Sequence, residues 1–269
     1  MPRVIVLRID LPTSDVDLYT QQLLLLVKNV ASTIEDLEMD FVPMTLFPAL
    51  PRLKRIEFYS WKDELGIFSS ERFPSLQHVY LCVSDAIECF FPKSGFHPHD
   101  QVKKISINLY VSSGENPVMG KFYVLTNYLK RQFPTANCFQ LYDMPRAIGL
   151  STFLAIHNAF PELKEILLDG TCDFTSMSGM DPNLFTHYLE NDLAMEEIPR
   201  KCSIFSFSKL EDLSLTAKVV VTNQMVAYCL SKIPSLRSLS FQWNEGLSLE
   251  EVRCLGHLRE IKIDNASEF

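Results

Sequence analysis

The sequence predicts an α/β solenoid: a curved parallel β-sheet on the concave side, with helices and loops on the convex side. Three observations carry this. The first is a phrase that returns along the chain. Phe160-Pro161-Glu162-Leu163-Lys164-Glu165-Ile166-Leu167-Leu168 reads apolar-Pro-x-Leu-x-x-Ile-x-Leu. It is repeated by Leu50-Pro51-Arg52-Leu53 with Ile56 and Phe58, by Phe73-Pro74-Ser75-Leu76 with Val79 and Leu81, and by Ile233-Pro234-Ser235-Leu236 with Leu239 and Phe241. Self-similarity at intervals of a few tens of residues marks stacked repeats. Second, the last two apolar positions of each copy are two residues apart, so they point to one side of a short strand. Third, no tight hairpin turn joins successive copies, and what lies between them is mostly helical in pattern, so the strands pair in parallel.

The core of the phrase, apolar-x-x-apolar-x-apolar, occurs ten times, at Val4, Ile34, Leu53, Leu76, Val102, Ala136, Leu163, Leu210, Leu236 and Leu258. Strands are therefore expected near residues 7, 37, 56, 79, 105, 139, 166, 213, 239 and 261, in one sheet of a single domain spanning 1–269. Between them, helical periodicity predicts helices over 15–30 (capped by Ser14 or Asp15), 120–132, 150–160 (Ser151), 222–233 and 248–255. The last opens on a capping box, Ser248 and Glu251. Proline at 51, 74, 134, 161 and 234 cannot continue a helix and biases its predecessor toward extended backbone, so it marks the return to strand. Two intervals are long. Residues 83–101 contain His97-Pro98-His99-Asp100. Residues 171–206 hold an extra helix starting at Asp181-Pro182, with Leu184, Phe185, Tyr188 and Leu189 on one apolar face.

With 269 residues, 47% of them hydrophobic, the chain can bury a large core. Its net charge of -8 argues against non-specific binding to nucleic acid or to an anionic membrane. The seven cysteines are scattered, with no Cys-x-x-Cys, which reads as a reduced, intracellular chain, cytoplasmic or nuclear. Met1 to Asp10 leaves no room for a signal peptide, and the apolar run Leu23 to Val27 is too short to cross a bilayer.

The ten spaced phrases, five with the same proline, resemble the leucine-rich repeat family, especially the irregular repeats of F-box/LRR substrate receptors. The likeness covers nearly the whole chain. The asparagine that this family carries just after the strand core falls at Asn244; Val42, Trp61, Ser84, Met144 and Thr171 take its place in other copies. Leu11-Pro12 before Leu18 to Val27 has a faint likeness to an F-box opening, but its position between two strand phrases makes it the first inter-strand helix. The resemblance implies an adaptor role, such as substrate recognition for a ubiquitin ligase.

No catalytic apparatus is evident: there is no Gly-x-Ser-x-Gly, no phosphate loop and no His-Glu-x-x-His. His97, His99 and Asp100 fall short of the three or four placed ligands a zinc site needs, so they read as a polar turn. No cofactor or metal is expected. The informative residues are those between and just after the core apolars, which in a leucine-rich repeat line the concave face. Thirty such positions carry ten acidic residues against four Lys or Arg. The candidate partner-binding set is Asp36, Glu38, Asp40, Glu57, Tyr59, Tyr80, Tyr142, Glu165 and Asp169. Tyrosine supplies contact area with a polar tip. Acids placed side by side on neighbouring strands repel unless matched, so the expected partner is a protein with a Lys/Arg-rich segment. A structural scaffold and an enzyme are the competing classes.

Overall fold

The computed structural model describes residues 6–9, 16–39, 47–59, 67–83, 97–109, 118–144, 147–191 and 200–264. The chain divides into two compact units, 1–136 and 137–269. Each is an α/β unit built on parallel strands. The first unit holds β1 (Val6–Ile9), β2 (Asp36–Met39), β3 (Arg55–Phe58), β4 (His78–Val83) and β5 (Lys104–Leu109). The second holds β6 (Cys138–Tyr142), β7 (Glu165–Leu168), β8 (Asp212–Leu215), β9 (Ser238–Gln242) and β10 (Glu260–Asp264). Within each unit the strands lie in sequence order and every neighbouring pair is parallel. All ten expected strands are present where the phrase puts them.

The phrase works as a turn followed by a strand. Leu53, Leu76, Ala136 and Leu236 each donate a backbone N–H to the carbonyl three residues back, on Leu50, Phe73, Phe133 and Ile233. That closes a β-turn with proline at its second position, where a fixed φ suits the turn and no N–H is required. Both ends of the turn are buried, so it plugs the core as it reverses the chain. The backbone then joins the ladder: Lys54 and Gln77 donate to Glu35 and Lys54 in the first unit, and Glu211, Arg237 and Arg259 to Lys164, Glu211 and Arg237 in the second. Phe207 to Leu210 and Leu255 to Leu258 make the same turn without proline.

Helix α1 (Val16–Val30) follows β1, and α2 (Val118–Gln132) follows β5. Helix α3 (Leu150–Ala159) follows β6, α6 (Asn223–Tyr228) follows β8, and α7 (Leu249–Arg253) follows β9. Thr222 and Ser248 cap α6 and α7 by accepting from Met225 N–H and Glu251 N–H. Ser151 does not cap α3. Gly149 occupies that position without a side-chain bond, because the helix begins one residue before Ser151. Ser14 and Asp15 lie outside the described residues, as do Leu11 and Pro12.

Among its described residues the 171–206 insertion holds two α-helices and, at its end, a 3-10 turn, Ile204–Ser206. The first, α4 (Phe174–Ser178), is too short to leave a periodic signal. Asp173 caps it by accepting from Ser176 N–H at 2.7 Å. Gly179 ends it at φ 72°, and a Cβ there would stand 2.3 Å from the Lys201 carbonyl oxygen, so this turn requires glycine. The second, α5 (Pro182–Glu190), starts as expected on Asp181, which accepts from Asn183 N–H at 2.9 Å. Its apolar arc is only half-covered. Phe185 is buried with Met180, against Phe174, Tyr188 and Tyr228, whereas Leu184 and Leu189 are 40% and 42% exposed. The reason is angular. At ~100° per residue, Tyr188 and Phe185 sit in the middle of the arc and Leu184 and Leu189 on its rims.

Of the 83–101 interval only the ends are described. His99 is not part of a solvated turn but is fully buried. Its Nε2 lies 2.7 Å from the Phe73 carbonyl, and its backbone N–H donates to the Gln132 carbonyl. Gln132, equally buried at the end of α2, donates from Nε2 to the carbonyls of Phe68 and His97. The His97–Asp100 motif is thus a latch that ties loop backbone to α2, because buried carbonyls need donors.

Candidate protein-binding face

Strand register sorts the outward residues into rows. In the first unit one row runs Val6, Asp36, Arg55, His78, Lys104, and the next runs Arg8, Glu38, Glu57, Tyr80, Ser106. Glu38 and Glu57 are direct neighbours, as expected. The repulsion between them is already answered inside the chain. Arg8 Nε pairs with Glu38, and an Arg55 guanidinium nitrogen pairs with Glu57. The Tyr59 hydroxyl lies 2.7 Å from a Glu38 carboxylate oxygen and 3.0 Å from one of Glu57. Burial first, then these two carboxylate contacts, push the Tyr59 phenol well above its usual pKa.

Glu57 is only 8% exposed and Ser106 is fully buried, so these two positions are not solvated face residues. Arg55 and Tyr59 engage the first, and His78 engages the second, with Nε2 2.8 Å from Ser106 Oγ. Reversing the charge of Glu57 would set a second cation against Arg55 and so act on the fold before it acted on a partner. The Tyr59 and Tyr80 rings stand beside each other with centroids 6.1 Å apart. Asp40 lies outside the described residues.

His78 is held neutral. Burial first, then the charges of Lys104 and Arg55, lower its pKa to about 3. An unfolded histidine titrates near 6.5. Between these values the unfolded chain binds a proton that the folded chain refuses. The contribution is therefore complete above pH 6.5 and is lost as pH falls toward 3, at up to about 1.4 kcal/mol per pH unit. The melting midpoint of the native protein should drop more between pH 7 and pH 5 than that of His78→Gln. Parallel pH dependences would show that His78 titrates normally.

The second unit presents a different face. Its rows are Cys138, Glu165, Asp212, Ser238, Glu260 and then Gln140, Leu167, Ser214, Ser240, Lys262. Tyr142 donates its hydroxyl to Gln140 Oε1 at 3.0 Å. Asp169, just past β7, is occupied. One oxygen accepts from Thr216 Oγ1 at 2.6 Å, and the other accepts from Asp143 N–H at 3.2 Å and faces Lys218 Nζ at 3.4 Å. Lys218 also pairs with Asp143, and these contacts, that bond foremost, raise its pKa. Asp169 therefore binds the loops after β6 and β8 to each other. Glu165 and Asp212 are Cα partners on adjacent strands, and the described residues offer neither of them a Lys or Arg within ion-pair distance.

Asn244 donates from Nδ2 to the Val221 carbonyl at 2.6 Å, and its Oδ1 accepts from Gly246 N–H. One side chain thus joins the loops of two successive repeats.

No protein-family model matches this chain, and no curated protein is similar to it.

Among the described residues no three His, Cys, Asp or Glu are grouped to hold a metal ion, and no helix is long and apolar enough to cross a membrane. Sequence reasoning missed the partners Arg8, Arg55 and Lys218. Aligning the phrases was enough to set Arg8 beside Glu38. The Lys218 contact spans 49 residues to Asp169 and had no local signal.

Proposed function

We propose that this chain is a leucine-rich-repeat module that recognises a partner protein on the outward face of its strands. The observation that carries the reading is the register: successive phrases align residue for residue, so their polar positions form continuous rows. The Asn244 contact between loops supports the repeat family. Fold alone does not give function; it is by analogy with F-box/LRR receptors that we assign a non-catalytic, intracellular role in choosing substrates for a ubiquitin ligase.

A basic segment of the partner fits the second unit best. There Glu165, Asp212, Glu260 and Asp264 face a single cation of the rows, Lys262, which already pairs with Glu260, while Asp169 is taken up by Lys218 and Thr216. Opposite charge accelerates encounter and makes it salt-dependent. Affinity capture from lysate should return a recurring protein at low salt. Glu165→Lys with Asp212→Lys should slow its association about tenfold and flatten the salt dependence, with the melting midpoint unchanged or slightly higher. Capture that ignores both salt and these substitutions would refute the basic-segment reading.

A further inference from the structure

The β3–β5 part of the face offers a second kind of seat. We infer that it takes a single carboxylate, from an aspartate or glutamate of the partner protein, over His78 between Lys104 and Arg55. This rests on the strand face being a binding surface, and it adds an acidic group to the basic segment proposed for the second unit.

The row geometry carries it. Arg55, His78 and Lys104 are successive Cα partners on β3, β4 and β5. With strands ~4.8 Å apart, the backbones of Arg55 and Lys104 stand about 10 Å from each other, with the imidazole between them. The long Lys104 side chain can bring its ammonium to a group above His78, while Arg55, held against Glu57, adds its charge from the other side. Among the described residues none places an anion there. In the adjacent row Tyr80 and Ser106 are uncharged, and Glu57 is engaged by Arg55 and Tyr59.

Charge matching then selects the occupant. Of the cations in the first unit's rows, Arg8 pairs with Glu38 and Arg55 with Glu57, while Lys104 has no acidic partner within ion-pair distance among the described residues. The other unmatched charge in these rows is Asp36, three strand spacings from Lys104. That is about 14 Å, beyond the ~8 Å Debye length of physiological salt. What remains locally is one positive charge. One carboxylate neutralises it, whereas a phosphate dianion would leave the seat negative beside Glu57. The charges of Lys104 and Arg55, which help to hold His78 neutral, attract an anion for the same reason.

The test uses the full chain with ring-labelled histidine, followed by NMR at constant ionic strength, and acetate as the probe. The His78 signal is assigned by its loss in His78→Gln. Acetate should move it saturably. Lys104→Gln should abolish the response and Lys104→Arg, which keeps the charge, should retain it. A silent His78, a response that survives Lys104→Gln, or a larger response to inorganic phosphate at equal concentration would overturn the carboxylate seat. A partner captured through Glu165 and Asp212 alongside a silent His78 would overturn the seat alone and leave the recognition role standing.

Discussion

Phe68→Ala should destabilise the first unit by about 3–5 kcal/mol, the range for truncating a buried aromatic ring. Phe68 is fully buried between β3 and β4, in a loop rather than a strand. Its ring centroid lies 5.7 Å from that of Phe133 and 6.4 Å from those of Phe58 and Phe73. Phe58 belongs to β3, while Phe73 and Phe133 open two of the Pro turns, so one ring bridges a strand and two turns. Tilted aromatic pairs add about 0.5–1.5 kcal/mol each beyond area burial. The Phe68 carbonyl also receives Gln132 Nε2 at 2.9 Å, so a loop that shifts into the cavity strands a buried donor. Denaturant unfolding of the substituted and native chains measures the difference. A loss under 1 kcal/mol would mean that the loop is not part of the core.

Leu213→Ala should cost about 2–5 kcal/mol, while Ser240→Ala should stay within about 0.5 kcal/mol. The two residues stand on neighbouring strands of the second unit and differ in the face they occupy. Leu213 is 1% exposed, with Ile166 and Leu239 as its Cα partners. Ser240 lies on the outward side between Ser214 and Lys262. Since a strand alternates faces with period two, equal effects on the unfolding midpoint would place the core on the wrong side of the sheet.

The strands were legible because their signal is local. An apolar pair at i and i+2 after a Pro turn says both that a strand exists and which side it buries. Caps at Asp181 and Ser248 were legible for the same reason, since acceptor and donor lie within three residues; the Thr222 cap was not, because the helical pattern includes that residue. Phe68 was not, because it falls between phrases and acquires its partners only when turns 60 residues apart close around it. On the outward face of the first unit, the alignment of phrases correctly predicted that Glu38 and Glu57 are neighbours. Counting their charges as a sum then hid how they are matched. The Tyr59 hydroxyl reaches back along its own strand and across to β2, and that reach depends on side-chain geometry rather than residue type. The consequence is a displaced emphasis: Glu38, Glu57 and Asp169 hold the protein together, while Glu165 and Asp212 have no Lys or Arg within ion-pair distance among the described residues.

The proline turns also act where no contact can be drawn. Each of Pro51, Pro74 and Pro134 in the first unit, and Pro161 and Pro234 in the second, fixes one φ angle that an unfolded chain would otherwise explore. A proline at a compatible turn position removes about 0.4–1 kcal/mol of that freedom from the denatured ensemble. The turns at Ser208 and Gly256 have the same hydrogen bond without the ring, so their segments give up more entropy on ordering. The repeat thus lowers the disorder that folding must overcome at the points where the chain reverses, and it does so most in the first unit, where three of the five rings stand.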